Sequence, residues 1–142
     1  MYPALVHLHS GFRWIVLILI IVNVINAVGV YSGKKVFGAK DKKLSLFALI
    51  FTHLQVLIGL GLYALSLKVE FSGNTISDPV KRFFTMEHTL MMLIAVILVT
   101  IGHGMTKTGN FKKVFWYYFI ALVVILAAIP WPFRTALGGS WF

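Results

Sequence analysis

The chain carries four apolar runs, at residues 14–33, 44–67, 88–106 and 114–133, and none of them contains an Asp, Glu, Lys or Arg. Each is close to the ~20 residues that a helix needs to cross the hydrocarbon core of a bilayer. Inside hydrocarbon a backbone must satisfy its own N–H and C=O groups, so each run is expected to be a helix and not a lone strand. Charged residues make up 12% of the 142, about half the share of a typical soluble domain. The first run follows no basic leader and is longer than the apolar stretch of a cleaved signal, so it is expected to persist as a span.

The net charge of +9 comes from 13 Lys and Arg against four acidic residues. These cations sit beside the apolar runs. Lys34, Lys35, Lys40, Lys42 and Lys43 lie between the first two runs, and Lys107, Lys112 and Lys113 between the last two. The opposite side holds Arg13, Lys68, Lys81, Arg82 and Arg134. Positive-inside bias therefore places both lysine loops in the cytoplasm and both termini outside. The charge is read as a topology and anionic-lipid signal, with no nucleic-acid partner expected. Trp14, Trp116, Trp131 and Trp141 lie near run ends, where interfacial anchors belong. Asp78 followed by Pro79 has the form of a helix cap and first turn, so the third helix is expected to begin there. Pro130 and Pro132 are expected to end the fourth. The expected fold is all-α and integral to the membrane. It is one four-helix domain over residues 1–142, an up-down bundle with spans at about 4–33, 44–67, 79–106 and 113–133.

An ionisable residue inside a span is a functional candidate by default. His88 lies ~9 Å outside the centre of the third span, and His9 lies ~13 Å outside that of the first, if the first helix starts near Pro3. Spans one and three run in the same direction and are diagonal in such a bundle. Two imidazoles at that level could clamp a flat ring from its two faces. His9 shares a helical face with Arg13, whereas His7 points away from it. His53 lies near the middle of the second span, beside Thr52 and Gln55, and reads either as a buried polar residue or as a third ligand, proton or quinone contact. His103, at the lysine-loop end of the third span, reads as interfacial. The outer level thus gathers imidazoles for iron and the arginines Arg13 and Arg134 for carboxylates. That split chemistry suits haem b. An Arg13–Glu87 ion pair locking spans one and three is the alternative account of the same residues.

Four stretches, "HLHSGFRW", "THLQVLIGLGLY", "EHTLMML" and "AAIPWPFR", resemble a group of small bacterial membrane proteins labelled cytochrome b-like. The resemblance covers most of the chain. It implies a b-type haem carrier of the bacterial inner membrane, with ligands drawn from His7 or His9, His53 and His88. The chain lacks the two-histidine-per-helix spacing of the large cytochrome b of quinol oxidoreductases, which speaks against a two-haem wire.

The leading expectation is an electron-transfer protein exchanging with quinol or with membrane or periplasmic redox subunits. Bis-histidine ligation leaves no open position on iron and so disfavours oxygen chemistry. Two alternatives stand beside it: a non-haem metal site using His9, His53 and His88, and an accessory subunit of a larger respiratory complex without a cofactor of its own. The absence of cysteine excludes disulfides, thiolate zinc sites, cysteine-held clusters and covalent c-type haem. No catalytic triad, carboxylate pair or phosphate loop is visible, so a stand-alone catalyst is not expected. A proton-coupled transporter would more often carry a carboxylate near mid-span.

Overall fold

The computed structural model describes residues 2–73 and 75–141. Four helices are each long and apolar enough to cross a membrane: α1 (Tyr2–Tyr31), α2 (Ala39–Leu65), α3 (Pro79–Thr108) and α4 (Phe111–Ala128). Among the described residues there is no strand. Gln55, toward the end of α2, donates to the His9 carbonyl near the start of α1 (2.8 Å), and Asn23 of α1 donates to the Leu44 carbonyl near the start of α2 (3.2 Å). These bonds fix the pair as antiparallel. α1 also packs on α4, and α3 closes the square against α2 and α4, leaving α1 and α3 on a diagonal.

The inward seam of each helix repeats every three or four residues. α1 buries Arg13, Val16, Leu17, Ile20, Asn23 and Ala27, and α4 buries Val114, Tyr118, Ala121, Ile125 and Ala128. The seam of α2 is small and polar: Asp41, Ser45, Ala48, Thr52 and Gln55. Small side chains let helices approach where burial from water supplies no drive between them. Large aliphatic side chains point outward instead, with Ile18, Ile25, Leu57 and Leu90 each about 60% exposed or more. On a soluble protein such an apolar shell would be an aggregation hazard. Against lipid it is the expected surface.

α2 begins inside the lysine loop, earlier than its apolar run. The Asp41 carboxylate accepts from Gly38 N–H (3.0 Å) and from Lys35 (2.6 Å), and this local cap carries the helix back to Ala39. α1 ends at Gly33, whose φ of 74° a side chain would disfavour. α4 stops at Ala128, short of the end of its apolar run. Pro130 and Pro132 have no N–H to offer the carbonyls four residues back. Those carbonyls find side chains: Trp131 Nε1 donates to Leu126 O (2.9 Å), Arg134 Nη1 to Ala127 O (3.0 Å) and His88 Nδ1 to Ala128 O (2.8 Å).

α3 opens with Asp78 as its cap, accepting from Val80 N–H (2.9 Å) and Lys81 N–H (3.1 Å), with Pro79 in the first turn. A π-turn follows at Phe83–Glu87, immediately before His88. The widened turn frees carbonyls, and nearby hydroxyls take them: Tyr63 donates to Thr85 O (3.0 Å) and Thr89 to Phe84 O (3.1 Å). The loop after α2 is stitched to this start. Buried Thr75 donates to Glu70 O (2.7 Å), Thr85 Oγ1 accepts from Glu70 N–H (3.1 Å), and the Glu70 carboxylate pairs with Lys81 and accepts from Ser72 (2.5 Å).

Replacing Asp78 by Ala should lower stability by ~1 kcal/mol through loss of the cap, read as a lower thermal midpoint in detergent. The hydrogen bond from Lys81, helped by that from Ser72, holds the Glu70 carboxyl below the usual glutamate range. Its support for the loop is complete above that usual range and is lost as pH falls through the lowered value. The protection of the loop amides, relative to their intrinsic exchange rates, should therefore fall on acidification, and Glu70→Gln should remove that dependence.

Candidate functional site

The end of the bundle that holds both termini is hollow. A cavity of about 230 Å³ lies between the four helices, and its lining includes His9, Gln55, Gly59, His88 and Ile125. His9 of α1 and His88 of α3 face each other across the diagonal. Their ring centres are 6.2 Å apart and their planes are inclined by 70°. The Ala128 carbonyl can only accept, so His88 Nδ1 carries the proton and Nε2 is left with the lone pair. Phe83 and Phe84 wall the ring at 5.8 and 6.2 Å. On the other side, Gly59 makes room for His9, since a Cβ at residue 59 would meet His9 Cε1 at 3.1 Å.

Buried polar atoms in a folded protein are nearly always hydrogen-bonded. Here His9 Nδ1, Arg13 Nε, Thr52 Oγ1 and Gln55 Oε1 are buried without a protein partner. All four residues line the cavity. Each such group costs roughly 1–3 kcal/mol if nothing meets it. These atoms lie behind the cavity surface, and Asn26 Nδ2, further along α1, is a fifth of the same kind, so the cavity wall is polar at the level of residues.

The charged groups at the cavity are cationic. Arg13 and Lys68 line it and no Asp or Glu does. Arg13, 8% exposed, donates from Nη2 to the carbonyls of Trp141 (2.6 Å) and Ser140 (3.3 Å). It thereby ties residues 138–141 across the cavity as a strap. Trp14, Trp131 and Trp141 stack around that tie at 6.1–6.2 Å. Gly139 is required there, because a Cβ would run into the carbonyls of Pro130 and Trp131.

Of the residues singled out from sequence, His9, His88 and Arg13 meet at this cavity. Arg134 lies beside it, bonded to the carbonyls of Ala127 and Ile129 and stacked over Phe83 at 4.8 Å, and it does not line the space. His7 is exposed and outside the cavity. His53 is exposed on the outer face of α2, its Nδ1 donating to the Leu49 carbonyl (2.8 Å). The Arg13–Glu87 pair does not form; Glu87 pairs with Arg82 at 2.8 Å. His103 is half-buried and bonded to Ser45 (2.8 Å), which bonds Tyr118 (2.9 Å). Lys68, which sequence reasoning passed over, carries one readable signal: it is the first cation after the second apolar run, on the side of Arg13.

Among the described residues no three of His, Cys, Asp and Glu converge as a metal site. A metal held by His9 and His88 would need its other ligands from a non-protein source, as a porphyrin provides. The donor set therefore fits a haem iron, and the cationic rim fits carboxylates.

Comparison of the chain with models of protein families, with curated proteins and with solved structures returns no match.

The strap can be tested separately. Gly139→Ala should release residues 138–141 from the cavity, seen as faster proteolysis of that segment and altered tryptophan emission, with the helical content kept.

Proposed function

We propose that the chain is a b-type, haem-carrying electron-transfer protein of a bacterial inner membrane, with the lysine loops cytoplasmic and the His9–His88 site in the outer leaflet. The observation that supports the reading is the pair of imidazoles from diagonal helices, ring centres 6.2 Å apart, at a cavity edged by cations. The resemblance of its histidine stretches to cytochrome b-like proteins points the same way.

In this reading His9 and His88 hold the iron from two sides. The neutral His88 ring carries its proton on Nδ1, held by the Ala128 carbonyl, which leaves the lone pair on the opposite nitrogen. That second-sphere bond also fixes the ring's rotation. Arg13 and Lys68 pair with the carboxylates; Arg134 shapes the wall through Phe83. When bound, haem supplies a one-electron couple. Were both histidines to hold the iron, the chemistry supplied would be electron transfer rather than oxygen binding. The residues that would have to give way to a tetrapyrrole are those of the strap, where Arg13 now holds the carbonyls of Ser140 and Trp141 and would instead hold carboxylates. Quinol and membrane or periplasmic redox subunits are the proposed exchange partners.

A reduced-minus-oxidised spectrum of protein purified from haem-replete cells tests this. Soret and α bands are expected from the native chain and from His7→Ala and His53→Ala. His9→Ala and His88→Ala should each lose the native low-spin spectrum while retaining native circular dichroism. Well-folded native protein without a Soret band would overturn the reading, and metal analysis of that sample would show whether a non-haem ion takes its place.

A further inference from the structure

A second concavity lies on the outer face of the bundle, between α2 and α3. It is a groove of about 320 Å³ lined by His53, Val56, Leu57, Val96, Ile97 and Thr100, among others. His53 is one residue from the midpoint of α2, so in a bilayer the groove opens to hydrocarbon, out of reach of lipid headgroups. An imidazole there is costly unless something meets its free nitrogen.

The hydrogen-bonding character of the groove is one-sided. His53 Nδ1 donates to the Leu49 carbonyl one turn back, which leaves Nε2 as a lone-pair acceptor. Thr100, the other polar side chain of the lining, donates its hydroxyl to the Val96 carbonyl (2.6 Å), which leaves only oxygen lone pairs. The groove thus offers acceptors and no donor. Acyl chains cannot supply a donor. A second copy of the chain, docked face to face by a two-fold axis, would set acceptor against acceptor. What complements the surface is an apolar body that brings a hydroxyl. The space is ample for a substituted ring, since an apolar cavity of about 150 Å³ already takes benzene.

We infer that the His53 groove binds a lipid-dissolved aromatic alcohol of the hydroquinone type, its hydroxyl donating to His53 Nε2 and its ring lying on Val56, Leu57 and Ile97. Selectivity follows from the acceptors: the reduced, hydroxyl-bearing form binds and the oxidised quinone, which has no donor, does not. Val56 lines both this groove and the His9–His88 cavity, so the ring would sit one side chain away from that cavity. Binding at the groove is independent of whether the cavity holds haem.

The test uses the full chain in nanodiscs, with ¹⁵N-labelled histidine and three probes: tetramethylhydroquinone under reducing conditions, its dimethyl ether, and tetramethylbenzoquinone. The hydroquinone should shift the His53 Nε2 resonance and bind about tenfold more tightly than the ether or the quinone, the worth of one net hydrogen bond. His53→Leu, which places an aliphatic side chain against lipid, should level the three affinities while the fold is kept, and His53→Gln should restore part of the preference. The same preference is expected in His88→Ala protein, which separates this site from the cavity. Equal affinities in the native chain, or a His53 resonance unmoved at saturating hydroquinone, would overturn the inference. So would a dimer that His53→Leu abolishes while the hydroquinone leaves the resonance unchanged, since the groove would then be an interface between copies.

Discussion

The bond from His88 to the Ala128 carbonyl joins the fold to the site. It exists because α4 is followed by two prolines. A helix leaves its last carbonyls without intrahelical donors, and prolines at 130 and 132 remove the N–H groups that could have extended the ladder. In hydrocarbon no water is at hand to take those oxygens. Three long side chains from the neighbourhood do so instead, and one of them is an imidazole from the adjacent helix. A structural requirement of α4 thereby sets the tautomer of a histidine on α3. The π-turn at Phe83–Glu87 contributes from the other side, since the widened turn immediately precedes the residue whose ring must reach across.

The hollow around that histidine follows from similar constraints. Gly59 and the short side chains of α2 let α1 and α2 close on each other, while His9, Thr52, Gln55 and Arg13 each keep a buried polar atom without a protein partner beside the cavity. Elsewhere the interior is packed with Ile20, Ala48, Val99 and Ala121, all nearly or fully buried. The hollow at this end contrasts with the dense middle of the bundle. Arg13 holds the two conditions together. It is a cation for an incoming carboxylate, and in its absence it is the clasp of the strap.

Much of the architecture was legible because bilayer crossing is a matter of length and composition. The four runs, the Asp78–Pro79 start and the proline stop can each be read from adjacent residues. The depths of His9 and His88 could be counted at a fixed rise per residue, and their diagonal placement follows from short connections. Rotation about a helix axis was harder. His53 shares the middle of α2 with Thr52 and Gln55, but those two face inward and His53 faces out, a difference that the flanking letters do not encode. Arg134 and Lys68 could not be ranked either, because which cation reaches the cavity depends on the paths of two irregular loops. The strap was invisible for the same reason: nothing in "GGSWF" says that its carbonyls will meet an arginine more than a hundred residues earlier.

At the far end of the bundle the hydroxyl of Tyr118 meets Ser45, and Ser45 meets His103, with Tyr118 and Ser45 entirely shielded. Three helices are knotted there by short polar links around a phenol ring. The molecule is therefore a blind well and not a tube. Whatever occupies the hollow finds no passage along the bundle axis past Tyr118 to the lysine-rich face.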